Sequence, residues 1–151
     1  MSQSLTRLYA HITFSTKDRY PYLAQKSIRE EMHAYIGGVL KTLDSQPIII
    51  GGATDHVHIL SRMSKNNPVS KIIGEMKRVS SIWIKTKNPD YARFHWQNGY
   101  GAFSIGRSEV NAVEKYIRNQ EEHHKIKTFK DEFLSFLEEY EIDYDERYVW
   151  D

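Results

Sequence analysis

Cysteine is absent from the 151 residues. That removes disulfide scaffolds, thiolate zinc sites, iron–sulfur clusters and cysteine nucleophiles together. Proline is scarce, at four residues, and no low-complexity linker divides the chain. No apolar run approaches the ~18–20 residues that a membrane span needs, and the stretch around Pro47–Ile50 is far too short. The opening Met1-Ser2-Gln3-Ser4-Leu5-Thr6-Arg7 lacks the apolar core of a signal peptide, so a soluble, cytoplasmic chain is expected. With 40% hydrophobic, 13% aromatic and 27% charged residues, the chain can bury one core and keep an ordinary surface. A single domain over residues 1–151 follows, with about 126–151 as a helical, acidic extension.

The formal net charge of +1 conceals an uneven distribution. Residues 1–129 hold 19 Lys/Arg against 11 Asp/Glu, a net +8, while residues 130–151 hold 2 against 9, a net −7. A basic body with an acidic tail is one pattern expected of a nucleic-acid-binding protein, because local potential outweighs the whole-chain sum.

Residues 8–14 alternate as a strand does. From Ser27, a candidate N-cap, to Leu43, the residues Ile28, Met32, Tyr35, Ile36, Val39 and Leu40 recur at helical spacing. Strands are predicted from Pro47 to Ile50, ending or bulging at Gly51-Gly52, and from Asp55 to Leu60. Asn67-Pro68 opens a second helix carrying Ile72, Ile73, Met76 and Trp83. Phe94–Trp96 and Ala102–Ile105 flank Asn98-Gly99-Tyr100-Gly101 like the arms of a hairpin. Ser108 is a candidate cap for a helix running to about His124, and a last amphipathic helix holds Phe133, Leu134, Phe136, Leu137 and Tyr140. The order predicts an α+β fold, a ferredoxin-like or RRM-like antiparallel sheet with helices packed mainly on one face.

Two constellations carry chemistry. In His56-Val57-His58 a strand sends both imidazoles to one face and Val57 to the other, a common half-site for a divalent metal. In Tyr116-Ile117-Arg118-Asn119-Gln120 a helix places Tyr116 and Gln120 one above the other. Read singly, each is also compatible with ordinary packing.

Together, and with His11-Ile12-Thr13-Phe14-Ser15-Thr16-Lys17, the 51–60 block, Trp96–Ser104 and the Tyr116–His124 run, they carry a resemblance. The sequence resembles the HUH superfamily of single-strand DNA endonucleases, and more narrowly the single-tyrosine transposases of the insertion-sequence-200/605 type. Gln120 in the metal-ligand place favours the transposase proper over its REP-associated relatives.

The resemblance implies that His56, His58 and Gln120 hold Mg²⁺ or Mn²⁺ and that Tyr116 is the nucleophile, forming a 5′-phosphotyrosine. It also implies a homodimer, in which one subunit's tyrosine can complete the other's site, and single-stranded DNA with subterminal hairpins as substrate. Lys71, Lys77, Arg78, Lys85 and Arg107 are the candidate phosphate contacts, and Trp83, Trp96, Tyr100 and Phe103 candidate stacking platforms. The other histidines, His11, His33, His95, His123 and His124, are read as structural or surface residues, and Glu121 as an alternative ligand.

Three readings compete: this transposase, or a domesticated nuclease sharing its chemistry; a non-catalytic RRM-like nucleic-acid-binding module; and a hydrolytic metallonuclease. The last wants a carboxylate beside the histidines, and the only adjacent one, Asp55, is expected to face away from both.

Overall fold

The computed structural model describes residues 2–123 and 126–151, without the side chain of His123. Four strands, β1 (Tyr9–Ser15), β2 (Gln46–Gly52), β3 (His56–Arg62) and β4 (Gly101–Ile105), form one antiparallel sheet in the order β2-β3-β1-β4. Alternation along β1 and β3 gives the sheet two distinct faces. Ala10, Ile12, Phe14, Val57 and Ile59 point to one, and His11, His56, His58 and Leu60 to the other.

The first face is closed by the two longest helices, α1 (Lys26–Thr42) and α2 (Val69–Lys85). Ile28, Met32, Ile36, Val39 and Leu40 form the inner stripe of α1, and Ile72, Ile73, Met76 and Ile84 that of α2. Full burial of each such side chain contributes about 1.5–3 kcal/mol, so this face holds the main core. Tyr35 stacks on Trp83 with centroids 5.1 Å apart, fastening α1 to α2. Pro68, in extended conformation, sits just before α2, where its missing N–H costs no helical bond.

The second face is covered too, so helices pack on both sides of the sheet. Here lie α3 (Val110–Arg118), α4 (Gln120–His123) and α5 (Phe129–Glu139). Val110 and Ile117 of α3 pack on Leu60 and Ile105, while Phe129, Phe133 and Leu137 of α5 pack on Phe103. Gly51 sets the height of α3 above the sheet: a Cβ there would stand 2.7 Å from the backbone oxygen of Ile117. Only a residue without a side chain lets β2 and α3 meet this closely.

Several expected boundaries move. Phe94–Trp96 is no hairpin arm of β4; Trp96 makes an isolated bridge to Thr16 and its indole N–H donates to Ser80 at 3.0 Å. α1 starts at Lys26 after Gln25 rather than being capped by Ser27, and Ser108 lies inside a 3-10 turn, Arg107–Glu109, that leads into α3. The single helix expected from 108 to 124 is broken at Asn119, where α3 ends and α4 begins. The extension is helical only from Phe129 to Glu139, because Glu141 at φ 54° ends α5 and the chain turns back over the body. His124, and the side chain of His123, lie outside the described residues.

Candidate active site

β3 holds His56 and His58 at alternate positions, paired with Ser15 and Thr13 of β1, so both imidazoles project from a strand bonded on each side. The His56 and His58 rings lie 5.1 Å apart at 83°. Above them stand Tyr116 from α3, Gln120 from α4 and Glu132 from α5. The Tyr116 ring is 6.0 Å from that of His58, so one chain brings the phenol to its own histidine pair. The break at Asn119 does not separate Tyr116 from Gln120; both still face the sheet.

The hydrogen bonds define which nitrogen is available. His56 Nδ1 donates to Asp55 Oδ1 at 2.7 Å, contrary to the expectation that Asp55 faces away: its position at the head of β3 frees it from strand alternation. Gln120 donates its amide N–H to Glu132 Oε2 at 3.1 Å, which turns its carbonyl oxygen toward His56 Nε2, 3.1 Å away. Two acceptors facing one another repel unless a proton or a cation stands between them. Donors sharing an ion at about 2.1 Å and a right angle sit about 3 Å apart, so this pair suits a small divalent cation.

His58 Nε2 donates to Glu132 Oε1 at 2.6 Å, and His11 Nε2 donates to His58 Nδ1 at 2.8 Å. Burial and the adjacent His58 push the His11 pKa down to about 3, which keeps that ring neutral. His11 and Asp55 thus anchor the Nδ1 edges of the two imidazoles; His56 already has the arrangement that orients a metal-binding histidine, whereas His58 ligates through Nε2 once its proton moves to Nδ1, toward His11.

Glu132 is the carboxylate that sequence reasoning missed. With His56 and His58 it forms a buried group whose ligand atoms all lie within 4.8 Å of one another. Its second oxygen accepts from the Tyr116 hydroxyl. Burial, then the Glu132 carboxylate, raise the Tyr116 pKa above its ordinary value, so the phenol is held protonated in this arrangement. The signal was present in the sequence: Phe129, Glu132, Phe133, Phe136 and Leu137 follow helical spacing, and Glu132 occupies a place on the apolar stripe. Glu121, the alternative ligand, points elsewhere, bound to Arg29 at 2.6 Å. That pair ties α4 to α1 and so steadies the backbone beside Gln120.

The candidate phosphate contacts do not gather at the site. Lys71, Lys77, Arg78 and Lys85 lie on α2, across the sheet from the histidines. The Lys77 ammonium is committed to the carbonyls of Gln97, Asn98 and Gly99 at 2.9, 3.2 and 2.7 Å, and burial lowers its pKa to about 8. Arg78 pairs with Glu75 at 2.6 Å. Arg107, exposed, precedes α3 on the histidine side. Of the aromatics, Trp96 and Phe103 are buried, Trp83 is half-buried and Tyr100 is exposed.

No helix among the described residues is long and apolar enough to cross a membrane. No curated protein matches the chain in sequence. Among solved structures, a transposase candidate from Deinococcus radiodurans superposes with a TM-score of 0.61 at 16% identity, covering 80% of this chain and 98% of that one. A REP-associated tyrosine transposase bound to a REP hairpin gives 0.56 at 15% identity, covering 79% and 72%. These likenesses establish a shared fold. Residues 4–120 match the family described as transposase IS200 like, a span that contains His56, His58, Tyr116 and Gln120. The chain belongs to the IS200-like transposase family.

Proposed function

We propose that this transposase cuts and rejoins single-stranded DNA through Tyr116, with His56, His58 and Gln120 holding Mg²⁺ or Mn²⁺. The observation that carries the reading is the facing of His56 Nε2 and Gln120 Oε1 at 3.1 Å, one turn from the only phenol above the histidine pair among the described residues. A divalent cation held there supplies Lewis-acid polarisation of the scissile phosphate and a positive charge that favours the phenolate.

Tyr116 Oη gives up its proton to solvent and attacks phosphorus, the bond to the 3′ oxygen breaks, and that oxygen takes a proton from solvent and leaves as a 3′-hydroxyl. The product is a 5′-phosphotyrosine that retains the phosphodiester energy, so a second 3′-hydroxyl can reverse the step on a new strand. His11 and Asp55 hold the imidazole edges, and the Arg29–Glu121 pair holds the start of α4. Hairpin-bearing single strands and a homodimer belong to the same proposal. The binding-module alternative leaves the buried cluster of His56, His58 and Gln120 beside Tyr116 without a role.

The test is incubation of the full chain with Mn²⁺ and end-labelled single-stranded DNA, followed by a denaturing gel. Wild-type protein is expected to give a covalent adduct, and Tyr116→Phe none, with DNA binding retained. An adduct formed by the phenylalanine variant would overturn the assignment of the nucleophile.

A further inference from the structure

His56 and His58 are 0% exposed, Gln120 1% and Glu132 2%. A phosphodiester cannot reach such a site as it stands. The cover is the acidic C-terminal segment, which lies beyond residues 4–120 of the family match.

We propose that residues 128–151 are a lid that closes the active site by presenting a carboxylate where the scissile phosphate must sit, and that DNA enters when the lid lifts. The inference rests on the transposase reading above and adds the state of the site between reactions.

Three observations carry it. The first is the company of Glu132: its two oxygens engage the Tyr116 hydroxyl, the Gln120 amide and His58 Nε2. Tyr116 is the attacking group and His58 and Gln120 are residues that would hold the ion, so the carboxylate fills the space between nucleophile and metal ligands where the scissile phosphate must sit.

The second is the way the segment is fastened. Phe133 lies over Gly101, where a Cβ would come within 2.8 Å of its ring, and Tyr140 stacks on Phe103 at 4.8 Å. At the far end Gly99 N–H donates to Asp151 O at 2.8 Å and Arg19 to Trp150 O at 3.1 Å. The Trp150 indole closes back on Phe133, with centroids 5.9 Å apart. The segment is thus held by its own ring contacts and by its tip, outside the hydrogen-bonded sheet.

The third is charge. Residues 130–151 carry a net −7 against +8 for residues 1–129. An acidic cover over the site repels an incoming phosphate while docked, and it competes with DNA for the same basic body.

The experiment uses the full chain in two arms. Hydrogen–deuterium exchange without DNA reads the lid by itself: the α5 amides are expected to exchange ahead of those in β1 and β3, as a unit that opens while the sheet stays closed. In the second arm Gly99→Cys and Asp151→Cys, the only cysteines in the chain, tie the tip to the body. Oxidation is expected to cut adduct formation on single-stranded DNA by about tenfold or more, with recovery on reduction. Exchange of α5 no faster than β3, or equal adduct formation by the oxidised and reduced forms, would overturn the lid. Early α5 exchange with no adduct from wild-type protein would support the lid and overturn the transposase reading instead.

Discussion

Alanine in place of Gly51 separates the seating of α3 from the stability of the fold. The new Cβ would stand 2.7 Å from Ile117 O and 2.9 Å from Ile117 Cγ2. Comfortable contact needs about 3.5 Å, so α3 must retreat by roughly 0.8 Å. Overpacking of this kind costs about 1–3 kcal/mol of stability, a loss a folded domain survives. The effect on chemistry is larger, because Tyr116 precedes Ile117 and a displacement near 1 Å costs an attacking group about a hundredfold in rate. Gly38 provides the control, since it lies in α1 with nothing within 4 Å of its added Cβ. Gly38→Ala is expected to stabilise by about 0.5–1 kcal/mol and leave cleavage unchanged. The assay is the rate of covalent adduct formation alongside thermal unfolding. A Gly51→Ala protein that cleaves at the wild-type rate would refute the reasoning that contact between β2 and α3 places the nucleophile.

Three further outcomes are expected. His11→Leu removes the partner of His58 Nδ1 and should weaken Mn²⁺ binding by about 10–100-fold in calorimetry, whereas His11→Gln, which can still hydrogen-bond there, should recover most of it. Lys77→Met leaves three loop carbonyls without their donor, so stability should fall by about 1–3 kcal/mol while the salt dependence of DNA binding stays as in wild type. The pKa of His33 is lowered to about 4 by burial and by Arg29, and its Nε2 has no hydrogen-bond partner among the described residues. The unfolded chain therefore binds more protons between pH 6.5 and 4, and stability is lost as pH falls through that window. His33→Leu should flatten this part of the stability profile by about 2–3 kcal/mol, measured by denaturant unfolding at pH 7 and pH 4.

What could be read in the sequence follows how local the determinants are. His56 and His58 were visible because a strand guarantees that i and i+2 share a face. Tyr116 and Gln120 were visible for the equivalent helical reason, and they remain together although Asn119 ends α3, because the chain resumes as α4 over the same sheet face. His11 is a contact between strands: it joins His58 because β1 runs beside β3, which the ferredoxin-like plan implies but the histidine itself does not announce. Glu132 is more distant still, 74 residues from His58 in the chain. Its one local sign was a carboxylate on an apolar stripe, and only the docking of α5 turns that into a partner for the histidines. Lys77 was a candidate phosphate contact because it stands among basic residues, and its bonds to the 97–99 carbonyls come from a loop twenty residues on that nothing in its own neighbourhood announces. Gly51 was read as the end of a strand, whereas its role is the close approach of a helix absent from its own neighbourhood in the sequence.

The placement of β3 between β2 and β1 gives the candidate site one fixed jaw and one sliding jaw. Both imidazoles are rooted in a strand that cannot shift without tearing two ladders. Phenol, amide and carboxylate stand on three short helices that share no ladder with it. Exchanging a smaller ion for a larger one, or an empty centre for a loaded one, should leave the imidazole pair where it is and appear as travel of the opposing wall.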